Sequence, residues 1–452
     1  MGDSSGTIIT PAEEKELGEA FFRSLHSQVT INQDAEIQEY IQTIGNRLVA
    51  NSDGPGLPFH FFVVMENDIN AFAGPGGYIG VNSGLIIMTE AESELASVMG
   101  HEIAHVTQRH LYRAAEAAGR LSIPTMAATL AAILLGTQSP ALGQAAIMAV
   151  MGSSVQFQID FTRENEMEAD RVGMQTLEEA KFDPRSMPTF FERLQQSSRY
   201  YGKDVPEFLR THPVTASRIS DTRGRAETYP YKQYADSLGY QLIKEKLRVL
   251  TGKDDAGTTK YFQARLNQGT DEQRTVARYG LGLVALKLQK YQEAESTFQQ
   301  LVKQHPAQPH YATALARTAL ESKNYPLALS RYQKLTEQFP NNEAIKLEYI
   351  TALVRSGDSG KAKKNLELLS AKTQTLPVYY ELLAQIYNDL NQPAESHRYL
   401  AEYYYSVGLI QDAIFQIRLA RQSKGLNPHL SAILRERHDY FLSEQMEARR
   451  NQ

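Results

Sequence analysis

Met99-Gly100-His101-Glu102-Ile103-Ala104-His105 sits in a stretch that reads as one long helix from about Glu90 onward. An α-helix turns about 100° per residue, so positions four apart share a face. His101 and His105 are so spaced, and both imidazoles reach one ion from that face. Glu102 lies about 100° round the axis from His101, placed to meet a reacting water without ligating the metal. Met99, Ile103 and Val106 fall on the far side, where a helix buried in a domain needs apolar residues. Two solvent-facing histidines beside a helical Glu would leave that division of faces unexplained. A purely structural metal site would have no use for Glu102.

Zinc in a catalytic site takes three protein ligands and keeps one position open. The chain has no cysteine, which excludes a disulfide framework, a thiolate ligand and a cysteine nucleophile. Any metal must then be held by His, Asp or Glu. The run Arg163-Glu164-Asn165-Glu166-Met167-Glu168-Ala169-Asp170 supplies carboxylates. Glu166 and Asp170 share a helix face, which suits a ligand at Glu166 with Asp170 behind it fixing an imidazole tautomer. Glu164 and Glu168 share another face, and spacing leaves them open. His110 follows His105 by five residues, off the ligand face, and reads as non-catalytic.

Outward from this motif the chain divides in two. Thr10-Pro11-Ala12-Glu13 has the form of a capping box, with a helix to follow. A second helix begins near Asp34, with Ile37, Tyr40, Ile41, Ile44 and Leu48 on one face. Phe59 to Met65 and Tyr78 to Val81 read as strands on either side of the turn at Gly74-Pro75-Gly76-Gly77. Further on, Tyr291, Ala294, Phe298, Leu301 and Pro306 recur as Tyr325, Ala328, Tyr332, Leu335 and Pro340, each pair 34 apart. That period, with small residues inside the helices and a closing proline, is the tetratricopeptide signature. A third copy fits at Ala362 and Leu366 but has Gln374 where the proline is expected. Segments near Ala394 and Ala413 read as degenerate copies.

Composition sets the remaining bounds. At 452 residues there is room for two or three domains. A net charge of -5 without a long basic run argues against nucleic acid. Met1 to Thr10 lacks the basic and apolar regions of an export leader, so the protein is either cytosolic or a mature form. Two runs low in charge, Leu121 to Leu135 and Ala141 to Met151, are shorter than the roughly 18 to 20 residues that span a bilayer. They suit a hairpin packed on the protein, or alternatively a lid or a peripheral membrane contact through 121–151.

The zincin helix followed by Glu166-Met167-Glu168-Ala169-Asp170 resembles the metallopeptidase family that includes prenyl-protein endopeptidases and heat-shock-type membrane proteases. Asn70-Ala71-Phe72-Ala73-Gly74-Pro75-Gly76-Gly77-Tyr78 and Thr211-His212-Pro213 with Arg218-Ile219 resemble it too. Fusion to tetratricopeptide repeats is similar to the bacterial β-barrel assembly-enhancing proteases. The resemblance implies Glu166 as third ligand. It also implies a His212 that faces the metal, either stabilising an oxyanion or filling the open position and holding the enzyme inactive. A structural histidine before proline is the alternative for His212, and Arg218 is expected to position this segment. Export to the periplasm and quality control of outer-membrane proteins, alongside the β-barrel assembly machinery, are implied as well.

The expected fold is mostly α: a zincin-like α+β metallopeptidase domain with a small sheet over residues 1–228, then a helical repeat solenoid over 229–452. The expected activity is zinc-dependent endopeptidase, with zinc on His101, His105 and Glu166 and with Glu102, Asp170 and His212 completing the site. Substrate is expected to pair its backbone with the strand at Tyr78 to Val81, which gives weak sequence selectivity. The rival reading is a repeat-based chaperone or adaptor with a silent or structural metal site.

Overall fold

The computed structural model describes residues 10–116, 126–127, 130–131, 134, 155–201 and 206–450. The chain is mostly helical and forms two compact units. The first takes in residues up to Asn32 and Tyr40–Tyr240, and the second Gln33–Glu39 and Gln241–Arg450.

In the first unit, helix α1 (Pro11–His26) starts on the expected capping box. The Glu13 N–H donates to Thr10 Oγ1 at 3.2 Å, and the Thr10 N–H donates to Glu13 Oε2 at 2.8 Å. Helix α2 (Ala35–Val49) buries Ile37, Ile41, Ile44 and Leu48 at helical spacing. Strands β1 (His60–Val64), β2 (Ala71–Ala73) and β3 (Tyr78–Asn82) form a sheet of order β1-β3-β2. β3 runs parallel to β1 and antiparallel to β2. The strand expected to receive substrate is therefore central, and both of its edges are already paired. Beside the metal helix lies β2 instead, whose outer edge carries no strand among the described residues.

One sheet face packs on α1 through Leu17, Phe21, Leu25, Phe62, Val64 and Phe72. Ala127 and Ala131 of the first apolar run join this cluster, with Met126, Leu130 and Leu134 partly buried against it. The rest of that run and the whole of 141–151 lie outside the described residues. No helix among the described residues is long and apolar enough to cross a membrane.

Helix α3 (Ser83–Met88) leads into α4 (Glu92–Thr107), which carries the metal motif, and α5 (His110–Glu116) follows. Helix α6 (Val155–Glu179) crosses α4 where Gly100 meets Gly173. A Cβ on Gly173 would sit 3.1 Å from the His101 nitrogen, so the approach needs glycine there. Ala104, Ala169 and Val172 extend this contact of small residues. Helix α7 (Ser186–Tyr201), the short α8 (Glu207–Thr211) and α9 (Ala216–Thr228) complete the layer.

Helix α4 has no side-chain cap at Ala91. Its first N–H, on Glu92, donates instead to Asp236 Oδ1 at 2.7 Å. Ser237 donates its N–H and O–H to the Glu92 carboxylate at 2.8 and 2.7 Å, and the Tyr240 hydroxyl donates to the Thr89 carbonyl at 3.0 Å. Residues 229–240, expected with the repeats, thus count with the first unit and hold the start of the metal helix.

The second unit is a run of helical hairpins from α10 (Leu238–Thr251) and α11 (Asp255–Gln268) onward. Helices α12 (Asp271–Lys287) and α13 (Tyr291–Gln304) make one tetratricopeptide pair, and α14 (Pro309–Glu321) with α15 (Tyr325–Gln338) the next. The pairs α16 (Glu343–Arg355) with α17 (Ser359–Leu366) and α18 (Pro377–Asp389) with α19 (Pro393–Ser406) follow. Helices α20 (Ile410–Gln422) and α21 (Pro428–Arg450) close the unit. The repeating positions Ala294, Phe298, Leu301, Ala328, Tyr332 and Leu335 are all buried. A Cβ on Gly282 would meet the Phe298 ring at 2.6 Å, so the two helices of this pair approach closely there. Within each of these four pairs the turn holds a residue of positive φ: Gln289, Lys323, Gly357 and Asn391. These are again 34 apart, so the period runs on through the copies whose closing proline is missing.

This unit also encloses the segment Gln33–Glu39. Asp34 caps α2, accepting the Glu36 and Ile37 N–H groups at 3.1 and 3.3 Å. Lys246, 2% exposed, places Nζ 2.7 Å from Asp34 Oδ1 and 2.5 Å from Glu36 Oε2. Arg317 adds a bond to Asp34 at 3.0 Å, and His310 Nδ1 lies 3.1 Å from Glu36 Oε1.

Candidate metal centre

Four donor atoms converge between α4, α6 and the residue after α8. They belong to His101, His105, Glu166 and His212, and all lie within 4.8 Å of one another. His101 Nε2 is 3.0 Å from His105 Nε2, 3.3 Å from Glu166 Oε2 and 3.4 Å from His212 Nδ1. His105 Nε2 is 3.3 Å from Glu166 Oε1, and His212 Nδ1 is 3.0 Å from that oxygen. A tetrahedral ion with bonds of about 2.0–2.1 Å sets neighbouring ligand atoms roughly 3.3–3.4 Å apart. The observed edges are close to that figure. Inward-turned lone pairs this dense repel one another unless a cation or protons sit among them, so the donor set fits a metal.

Each metal-facing imidazole nitrogen is backed at the other end of its ring. His101 Nδ1 lies 3.0 Å from Asp170 Oδ1, close enough for charge attraction but bent away from good hydrogen-bond geometry. His105 Nδ1 is 2.8 Å from His110 Nδ1, whose Nε2 is 3.2 Å from Glu168 Oε2. Arg113 donates to the same Glu168 oxygen at 2.9 Å. With His105 and His110 each carrying a proton on the nitrogen that points away from the ion, both rings are fixed in tautomer. His110 is not among the converging donors, but it stands behind His105. Helix α4 ends at Thr107, and Arg109 takes a φ of 56°. The axis therefore breaks between the two histidines, and wheel geometry does not carry across it. Val106 differs from expectation as well: it borders the cleft rather than the core.

Arg218 is 4% exposed and grips Asp170 with two bonds of 2.7 Å, from Nε and from Nη2. Its Nη1 lies 2.8 Å from Glu166 Oε2 and donates to the Pro213 carbonyl at 3.0 Å. One side chain thus ties together the third carboxylate, the partner of His101 and the loop that carries His212. That loop is short because Pro213 disfavours a helical conformation at His212, which has φ −125° and ψ 80°. The His212 N–H donates to the Phe208 carbonyl at 2.7 Å, and the Phe208 N–H donates to the Ile69 carbonyl at 3.1 Å. The turn before β2 thereby fixes the histidine.

Glu102 is fully buried, and the Ala73 backbone on β2 reaches its carboxylate. Burial pushes its pKa up, with His212 and His101 opposing. His212 Nε2 stands 3.5 Å from Glu102 Oε1. Burial also raises Glu166, but His212, His101 and His105 outweigh it and hold that carboxyl well below its usual range. Burial lowers both motif histidines; at His101 the contacts with Asp170 and Glu166 win and lift it to about 10, whereas His105 falls to about 3.

The structure thus brings His101, His105, Glu166 and His212 to one point, sets Glu102 beside it and puts Asp170 behind His101. Glu164 is exposed, and Glu168 is turned to His110 and Arg113. Sequence reasoning missed His110, Glu168 and Arg113, together with the Gly100–Gly173 crossing.

Residues 35–226 match the model of peptidase family M48, and residues 279–343 and 319–386 match tetratricopeptide repeat models. The chain is 34% identical to the beta-barrel assembly-enhancing protease of Yersinia pestis, over 93% of this chain and 87% of that protein. It is 33% identical to the protein of that name from Escherichia coli strain K12, over 92% of this chain and 85% of the relative. A putative beta-barrel assembly-enhancing protease of Vibrio cholerae is 41% identical over 70% of this chain and 65% of its own length.

Proposed function

The chain belongs to the beta-barrel assembly-enhancing protease family, M48 metallopeptidases joined to tetratricopeptide repeats, and from that premise we propose that it is a zinc-dependent endopeptidase removing misfolded or stalled polypeptides during outer-membrane protein assembly in the periplasm. One observation carries the chemistry: His101, His105, Glu166 and His212 bring four donor atoms within 4.8 Å of one another, beside the fully buried carboxylate of Glu102. An imidazole and carboxylate donor set of this geometry suits zinc.

His101, His105 and Glu166 are the ligands in this reading. Zinc held there supplies a Lewis acid that acidifies water and polarises the scissile carbonyl. Glu102 takes a proton from the attacking water as the water oxygen bonds to the carbonyl carbon. It then gives that proton to the amine nitrogen as the carbon–nitrogen bond breaks, so one water is consumed per bond cut. Asp170 and His110 hold the two imidazoles in tautomer and direction, and Arg218 holds Asp170. His212, with Nδ1 at the fourth corner of the cluster, fills the open position and restrains the enzyme until it swings away. Substrate lies extended along the outer edge of β2, next to Glu102.

The repeat region recruits substrate or the β-barrel assembly machinery. A division into a peptidase part over 1–228 and a repeat part over 229–452 serves this reading, with 229–240 acting for the peptidase by capping α4. The test is Glu102→Gln. It should abolish cleavage of an unfolded protein such as casein, while zinc content by mass spectrometry and the unfolding midpoint stay as in the wild type. Cleavage near the wild-type rate would remove Glu102 as the base.

A further inference from the structure

Next to Glu102 and His105 the first unit has a cavity of about 150 Å³. Its walls are Val106 at the end of α4, Leu111 and Tyr112 on α5, Leu134 and Ala73 on β2. The floor is the backbone of Gly74, Gly76 and Gly77. Among the described residues the rest of the lining is Glu102, His105 and His212, on the side of the metal centre. Tyr112 is held against the floor. The Gly76 N–H donates to the Tyr112 hydroxyl at 3.2 Å, and the Arg109 guanidinium lies over the Tyr112 ring at 4.8 Å. The glycines are required by their other neighbours: a Cβ on Gly74 would enter the Phe21 ring, and one on Gly77 would strike the Pro58 carbonyl.

The geometry points to this cavity as the side-chain pocket that selects substrate: it takes a leucine, methionine or phenylalanine next to the bond that is cut. This rests on the peptidase reading above. An apolar cavity of about 150 Å³ accepts a benzene-sized group, so a phenyl or isobutyl group fits and an indole is too large. A lysine placed there loses its water to Val106, Leu111 and Leu134, and an aspartate faces Glu102 as a like charge. Burial of each additional methylene in such a pocket changes discrimination by roughly tenfold or more. Leu111 is an aliphatic wall residue outside the metal centre, so changing its size changes the space in the cavity. The selection also explains how an edge strand that reads only backbone spares folded proteins. Large apolar side chains lie inside a folded chain and are offered to the pocket only when it is unfolded or stalled.

The experiment uses the full chain as the zinc-loaded Glu102→Gln form and a set of fluorescent peptides that differ at one central residue: Ala, Leu, Phe, Trp, Lys or Asp. The Leu and Phe peptides should bind at least about tenfold more tightly than the Ala, Lys and Asp peptides. Adding Leu111→Trp fills the cavity and should bring Leu and Phe down to the Ala level. Adding Leu111→Ala deepens it and should make the Trp peptide the tightest. A merely structural role for Leu111 does not reverse the order between two variants. Equal affinities across the set, no binding at all, or an order unmoved by Leu111→Trp overturns the inference. Mapping the cuts made in casein by the wild type and by His212→Ala separates the two failures. Cuts without apolar bias sink the pocket alone, whereas intact casein in both sinks the peptidase reading.

Discussion

Replacing Arg218 by alanine tests how far the metal centre depends on a residue that never touches the metal. Asp170 is 1% exposed and Glu166 4% exposed, and Arg218 is the cation bonded to both. Removing one member of a buried ion pair costs roughly 3–5 kcal/mol, because the other charge is left in low dielectric. The first unit should lose about that much in urea denaturation with a chelator present. A second effect appears with zinc. Losing a partner behind the ligands typically weakens metal affinity about 10–100-fold, which at about 1.4 kcal/mol per decade adds roughly 1.4–2.7 kcal/mol to the loss. Arg218→Lys keeps the charge without the two-point grip and should fall between. Zinc affinity comes from competition with a chromophoric chelator, and stability from circular dichroism against urea. Electrostatics alone predicts the opposite sign, since removing a cation near the site should tighten zinc. Tighter zinc in Arg218→Ala, or a loss under 1 kcal/mol without metal, would refute the positioning argument.

Glu166→Ala should lose most of its zinc on purification, Glu164→Ala none and Glu168→Ala a little, because Glu168 acts only through His110; equal retention in all three sinks the ligand assignment. His212→Ala should raise basal casein cleavage if the imidazole restrains the enzyme, whereas a fall would assign it to the oxyanion and an unchanged rate to structure. In the second unit, Lys246→Met leaves Asp34 and Glu36 short of a buried cation and should cost roughly 3–5 kcal/mol at pH 7. Burial raises the Glu36 pKa, but Lys246 and His310 outweigh it and hold the carboxyl at about 2. A carboxyl held low in the folded state stabilises above its unfolded value and loses that stabilisation as pH falls from about 4.5 to about 2. Unfolding midpoints taken down that range should drop in the wild type and much less in Lys246→Met, and parallel curves would count against the pairing.

The parts of the site that lie within one helix were legible in the sequence. His101, Glu102 and His105 share an unbroken helix, where spacing translates directly into direction; Glu166 and Asp170 also share a face, but spacing left Glu164 and Glu168 open and the resemblance made the choice. The place of His110 behind His105 was hidden because the helix breaks at Arg109, and no periodicity survives a left-handed residue. Strand order was hidden for another reason. Nothing local in Tyr78-Ile79-Gly80-Val81 says that β1 and β2 take both of its edges, since pairing is decided across the sheet. The cap on α4 was equally out of reach, because Asp236 meets Glu92 from 144 residues away. In the repeats the proline was too narrow a signal. The position that keeps the period is the left-handed turn residue, and it is filled by Gln, Lys, Gly and Asn, which no single side-chain type unites.

The enclosure of Gln33–Glu39 by the second unit has a consequence for how the chain is made. Glu36 waits 210 residues for Lys246, and Asp34 waits 283 for Arg317. At roughly 5–20 residues per second of synthesis, the later partner follows about 15–60 s after Asp34. The peptidase site residues, 101 to 218, are all made before Lys246, so the site is complete in sequence while the first turn of α2 still waits for its buried cations. The nascent chain therefore holds its early acidic segment without these partners until Lys246, His310 and Arg317 emerge, and their arrival is the step that closes the start of α2. A ribosome stalled within α14 would present a peptidase whose second helix is still unfinished at its start.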